Sequence, residues 1–172
     1  MHEPTPILWD ASGQLAVLTF DLDRETFAIE AVLVREILDL LPETAVPGAS
    51  PLVGSVVNFR GRIIPIADLR LAFGMPRAEA TVDSRIIVIE IEQDDEAIQI
   101  GVRTDKVHEV TSLDQATSEE PPAVGMRWRR DFVRALVRRS DRVIVLPDLP
   151  SIFRSLCGGD GDPAAGAVSL VH

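Results

Sequence analysis

Short runs of β-branched and apolar residues, each cut off by turn chemistry, recur along nearly the whole chain and leave little room for a helical fold. Gln14 to Leu22 and Thr26 to Ile29 alternate apolar with polar residues around Asp23-Arg24-Glu25, the pattern of a β-hairpin. Arg85 to Ile91 and Ala97 to Val102 predict a second hairpin, with the charged stretch Glu92 to Glu96 at its tip. A strand over Val107 to Leu113 follows, and Phe132 to Val137 with Val143 to Leu146 predicts a further hairpin around Arg139-Ser140-Asp141. The apolar run Leu52 to Phe59 meets Arg60-Gly61-Arg62 and resumes as Ile63-Ile64-Pro65-Ile66, which predicts two strands about a glycine turn. Proline has no backbone donor, so the strand holding Pro65 is expected at a sheet edge or with a bulge there. Helical signal is confined to short pieces. Apolar residues at 33, 34, 37 and 38 predict a short helix over Ala31 to Leu38, ended by Pro42, and Leu69 to Phe73 predicts one helical turn before Gly74 and Pro76.

About ten short strands with frequent turns point to closed or nearly closed sheets. The segment from Met75 to Ser84 is polar and poor in large apolar side chains, and it is the natural seam between two halves of the chain. The expected organisation is an extension over 1–13 and a single domain over 14–153. Within that domain a first barrel spans about 14–80 and a second about 81–153. Residues 154–172 are expected to form a helix end and a flexible tail, rich in Gly, Ala and Asp from Cys157 onward.

At 172 residues the chain can bury a proper core but cannot hold a multi-domain enzyme. A net charge of −10 argues against nucleic-acid backbones as partners, because such binding draws on clustered Lys and Arg. Proteins are the expected partners. No stretch approaches the roughly 20 apolar residues that span a bilayer, and the opening MHEPTPILWDASG lacks a basic n-region and an apolar h-region. A cytoplasmic location without membrane insertion is therefore expected, and the single cysteine, Cys157, agrees with a reducing compartment.

Chemistry-bearing motifs are scarce. His2, His108 and His172 have no metal or acid–base spacing, and His108 reads as a surface strand residue. The glycines at 54, 61, 74 and 101 are isolated, so no phosphate loop is formed. Ser55, Ser84 and Ser112 lie in no nucleophile motif, and Asp160-Gly161-Asp162 lacks the spacing and closing glutamate of a calcium loop. Neither a cofactor nor a metal is expected, and no catalytic residue is assigned. The one basic cluster, Arg127-Trp128-Arg129-Arg130 with Arg134, Arg138 and Arg139, reads as a strand pair with arginines on its wet face and Trp128 packed at the rim. The competing reading is a grip on RNA or an acidic membrane, which Arg129→Glu with Arg130→Glu would abolish, and an acidic protein partner is a third.

The succession Phe20-Asp21-Leu22, Phe27-Ala28-Ile29, Val34-Arg35-Glu36-Ile37, Val46-Pro47, Gly54 to Gly61 (GSVVNFRG) and Ile64 to Arg70 (IPIADLR) resembles the CheW family of chemotaxis coupling proteins in both order and spacing. Arg85-Ile86-Ile87-Val88, Ile100-Gly101-Val102 and Asp105 to Val110 (DKVHEV) extend the resemblance over about 14–153. The family fold it implies is all-β, with two packed five-stranded β-barrels and short helices. The implied function is a non-enzymatic adaptor that bridges the cytoplasmic tip of methyl-accepting chemoreceptors to the regulatory domain of a CheA-type histidine kinase. Position by position, the resemblance implies a receptor-facing groove of Val34, Glu36, Ile37 and Arg60, joined by Ile86 and Gly101, and a kinase-facing edge of Leu41, Thr44, Ala45 and Val46.

Read from the residues alone, Val34 and Ile37 fit core or contact equally, and Glu36 with Arg60 fits either an internal salt bridge or direct contact. Asn58, Gly61, Pro65 and Asp68 read as fold-keeping residues of the turn and strand end. Arg103-Thr104 departs from the family pattern, as do Leu146-Pro147-Asp148 and the arginine-rich 127–142 segment. An adaptor for a different chemosensory array, controlling surface motility or a cyclic-dinucleotide output, satisfies the same residues. So, with less support, does a small basic-patch nucleic-acid-binding β protein.

Overall fold

The computed structural model describes residues 4–157 apart from 124, 126 and 127. The expected tail, with Asp160-Gly161-Asp162, lies outside the described residues, as do His2, Arg127 and His172. The strands are β1 Gln14–Leu22, β2 Glu25–Glu30, β3 Val34–Asp39, β4 Thr44–Ala45, β5 Ser55–Phe59 and β6 Arg62–Ala67, then β7 Arg85–Gln93, β8 Glu96–Thr104, β9 Lys106–Asp114, β10 Ser118–Glu119, β11 Val133–Arg139 and β12 Arg142–Pro147. Helix α1 covers Leu69–Ala72 and α2 covers Leu149–Cys157.

Among the described residues these strands form two six-stranded sheets, ordered β10-β11-β12-β2-β1-β9 and β3-β7-β8-β6-β5-β4. Each has five longer strands and one of two residues, which agrees with the mainly β fold expected. Read from β9 and from β3, the two orders describe the same object. An outer strand pairs with a hairpin, the hairpin lies parallel to the second strand of another hairpin, and a two-residue strand finishes the edge. Each sheet draws on both halves of the chain, because β1 and β2 join β9 to β12 while β7 and β8 join β3 to β6. The boundary near residue 80 therefore does not separate one sheet from the other. The ends match as well: Asp68 N–H donates to Leu52 O and Asp148 N–H to Phe132 O, both at 2.8 Å, at the start of α1 and of α2.

The apolar runs follow from burial on two faces. In β7, Ile87, Ile89 and Ile91 enter a cluster between the sheets with Phe20, Phe27, Val102 and Phe153. Ile86 and Val88, on the opposite face, enter a second cluster inside their own sheet with Leu38, Val57, Ile64 and Ile66. A strand covered on both faces reads as continuously hydrophobic rather than alternating. Leu15, Val17, Ala28, Val137 and Ile144 fill the inside of the other sheet, with Ile7 and Trp9 of the N-terminal segment packed against them.

Two local expectations are corrected. Residues 31–38 are not a helix: Ala31–Leu33 make one 3-10 turn and Val34–Asp39 is a strand paired with β7 from Val34↔Ile89 to Asp39↔Arg85. The turn has no side-chain cap at Glu30, and β-branched Val34 and Ile37 gain more from a strand partner than from an isolated short helix. Pro65 lies on an interior strand without a bulge, opposite Val56. Its missing donor is tolerated because β8 pairs with β6 only at Ile66 and Ala67, beyond the proline.

Candidate functional site

Arg60 and Gly61 form the two-residue loop between β5 and β6, and both have positive φ, 52° and 79°. That is the backbone of a primed hairpin turn, which suits the right-handed twist of the strands and which glycine adopts without strain. Asn58 Oδ1 accepts from Gly61 N–H at 3.1 Å and braces the turn, as its fold-keeping reading requires. Asp68 accepts from Arg70 N–H at 3.1 Å and caps α1.

Held this way, the Arg60 guanidinium reaches Glu36 Oε1 on β3 at 3.3 Å and lies over the Phe59 ring at 4.7 Å. β3 and the β5–β6 hairpin are separated in the sheet by β7 and β8, so the ion pair exists only because the sheet curls back on itself. Ile37 stands beside Glu36 with 46% of its surface exposed, while Val34 packs partly against the cluster between the sheets. The outer edge of β3 has no strand partner among the described residues. Val34, Glu36, Ile37 and Arg60 are thus brought together on one accessible edge.

Ile86 and Gly101 are not on that edge. Both are buried, and a Cβ at Gly101 would come within 2.6 Å of Ile66 Cδ1 and 2.8 Å of Ile86 Cγ2. They pack the sheet from inside rather than line a groove, because Ile86 lies on the inward face of β7. On the other side of the same sheet, Thr44 and Ala45 form β4, paired to Val56 and Ser55 and exposed. Leu41 is partly buried against the inner cluster, and Val46 N–H donates to Gly54 O at 2.9 Å.

The DKVHEV stretch that extends the resemblance also holds a second V-x-E-[IV] segment, a repeat that the sequence reasoning missed. Val107-His108-Glu109-Val110 on β9 occupies the place in the first sheet that Val34-Arg35-Glu36-Ile37 occupies in the second, with Val107 opposite Phe20 as Val34 is opposite Ile89. The polar contacts repeat: Arg35 to Glu90 at 3.1 Å matches His108 Nε2 to Asp21 Oδ2 at 2.9 Å, and Arg60 to Glu36 matches Arg139 to Glu109 at 3.9 Å. The recurring spacing of this motif was the available signal.

The arginine-rich segment is largely engaged within the protein. Arg134 is buried and forms a two-pronged pair with Glu30, with its Nε donating to Pro147 O at 3.2 Å. Arg129 pairs with Asp131 and covers the Phe132 ring, Arg130 donates to Pro121 O at 3.1 Å, and Arg138 lies 3.6 Å from Glu119. The wet-face reading fails for Arg134, while Trp128, expected at the rim, is partly buried against the core between the sheets, its ring 5.8 Å from that of Phe27 and 5.1 Å from that of Phe73. The carboxylates that already hold Arg129, Arg134 and Arg138 weaken any basic grip on nucleic acid.

Two curled sheets of the same design, presenting strand edges that combine apolar and charged side chains, define a protein-docking β module. A CheW-like domain model matches residues 16–157. The chain is 29% identical to the chemotaxis protein CheW of Rhizobium meliloti over 144 residues, covering 84% of this chain and 90% of that one. It is 25% identical to the chemotaxis protein CheW of Bacillus subtilis, covering 80% and 85% respectively. The crystal structure of the scaffolding protein TtCheW from Thermoanaerobacter tengcongensis superimposes with a TM-score of 0.70 at 29% identity, covering 81% of this chain and 92% of that one. The chain belongs to the CheW-like family, and it is a scaffold of chemotaxis signalling, the family that couples chemoreceptors to CheA. Among the described residues no helix is long and apolar enough to cross a membrane.

Proposed function

We propose that the chain bridges the cytoplasmic tip of methyl-accepting chemoreceptors to the regulatory domain of a CheA-type histidine kinase, using two different edges of the same sheet. The receptor edge is Val34, Glu36, Ile37 and Arg60, and the kinase edge is Leu41, Thr44, Ala45 and Val46. The observation that carries this reading is the 3.3 Å Glu36–Arg60 pair beside exposed Ile37, on a strand whose outer edge has no strand partner among the described residues. An apolar anchor flanked by a charge pair suits a helical tip, in which apolar contact supplies affinity and the charges fix register. Recruitment to receptor arrays at the inner membrane then follows from binding the receptors, without insertion into the bilayer.

The test is a binding assay of the purified protein against a receptor cytoplasmic fragment and, separately, a CheA regulatory domain. Wild type binds both, Arg60→Ala and Glu36→Ala weaken only receptor binding, and substitutions at Thr44 and Ala45 weaken only kinase binding. Failure of wild type to bind either partner refutes the proposal.

A further inference from the structure

The kinase edge is tied to the rest of the sheet by a residue outside it. Arg103, on β8, directs its Nε to Glu43 Oε2 at 3.0 Å and its Nη2 to Glu43 Oε1, while its Nη1 reaches Asp68 Oδ2 at 3.3 Å. Ser55 Oγ donates to the same Glu43 carboxylate. Glu43 immediately precedes Thr44 and Ala45, so this fork holds the start of the edge. The other restraints nearby are the two-residue pairing of β4 with β5, the Val46 N–H bond to Gly54 O and the packing of Leu40 and Leu41. Among the described residues no backbone-to-backbone hydrogen bond outside the strands involves residues 40–43. Beside the edge lies a cleft of about 340 Å³, lined among others by Glu43, Ala45, Ser55, Asp68 and Arg103.

The architecture itself does not demand an arginine there. The parallel strand contacts place Gly101 beside Ile66 and Val102 beside Ala67, and in the other sheet Phe27 beside Val145. Carried forward along the matching strands, Arg103 corresponds to Glu30, a carboxylate held by Arg134. The same fold therefore accepts either charge at this place, and what differs is the segment each one holds.

Resting on the kinase-edge reading above, we infer that Arg103 is a positioning residue: through the Glu43 fork it holds residues 41–46 in their binding shape and sets the affinity of that edge for the kinase regulatory domain. A planar fork gripping both oxygens of one carboxylate restrains orientation as well as distance, which a flexible ammonium does not. Without it the edge must be ordered on binding, which lowers affinity with no contact to the partner lost.

The experiment compares wild type, Arg103→Ala, Arg103→Lys and Glu43→Gln, all full chains, by hydrogen–deuterium exchange without partner and by titration against the CheA regulatory domain, with thermal unfolding as the fold control. Expected are faster exchange over 41–46 in Arg103→Ala and Glu43→Gln, about tenfold weaker kinase binding, an intermediate Arg103→Lys, and receptor-fragment binding unchanged. Wild-type exchange over 41–46 in Arg103→Ala overturns the inference, and so does weakened binding with unchanged exchange, which would make Arg103 a direct contact. If wild type fails to bind the kinase domain, the proposed function falls and this inference falls with it as a statement about affinity. The exchange arm still reports whether Arg103 orders the segment, so the two failures are distinguishable.

Discussion

Gly101→Ala separates packing from contact at the candidate site. The added methyl meets Ile66 Cδ1 at 2.6 Å and Ile86 Cγ2 at 2.8 Å. The Ile66 atom is the far end of its side chain and can rotate away. The Ile86 methyl sits on a β-branched carbon with a stiff χ1, on a residue with no exposed surface, so it yields only if β7 shifts. Overpacking of this kind costs about 3 kcal/mol, at the upper end of the usual range, and the loss of glycine's unfolded-state freedom offsets about 1 kcal/mol. The expected net loss is about 2 kcal/mol, read as a lower urea midpoint at unchanged slope. Ile66→Val removes the first clash at a cost of about 1 kcal/mol by itself. Added to Gly101→Ala it should leave the double variant more stable than the sum of the two losses by at least about 0.5 kcal/mol. Folded Gly101→Ala should bind the receptor fragment as wild type does. Stability equal to wild type would refute the packing argument, and full stability with lost receptor binding would return Gly101 to the contact surface.

Arg60→Ala should change unfolding stability by less than about 0.5 kcal/mol in urea titrations, because its guanidinium side chain is 74% exposed and solvent screens the pair with Glu36. Arg134→Ala should cost about 3 kcal/mol in the same assay, since it leaves the part-buried Glu30 carboxylate without its cation. The Asp10 carboxylate is held below its ordinary pKa of 3.8, first by the Gln14 N–H, against desolvation as the next-largest effect, and then by the Ser12 hydroxyl and N–H. A depressed carboxylate stabilises the fold above its unfolded pKa and loses that contribution as pH falls through the folded value. Amide exchange at Ser12 and Gln14 should therefore speed up below about pH 4 relative to the chain average, and Asp10→Asn should show no such added acid sensitivity.

Strand content and most turn positions were legible in the sequence because they rest on local chemistry: two-residue periodicity, glycine at a positive-φ turn, a proline or charge cluster at the breaks. The residues proposed for the receptor edge were reached through the order and spacing of the VREI and NFRG segments, and the turn that presents Arg60 follows from Asn58 and Gly61 alone. What the residues of 31–38 would become was not local. Their spacing satisfies a helix and a strand alike, and the partner that decides between them, β7, lies some fifty residues further along. For Ile86 and Gly101 the sequence identifies apolar and small residues at the right places but not which face each presents, and only the curl of the sheet turns them inward. Arg134 and Arg103 are the same chemical group in similar strands, yet one ends buried against Glu30 and the other braces Glu43 at the surface, because the opposing carboxylate arrives from a distant segment in each case. The exchange of hairpins between the two halves is likewise a matter of tertiary structure: each half holds every strand type a sheet needs, and which hairpin completes which sheet is set by the shared core between them.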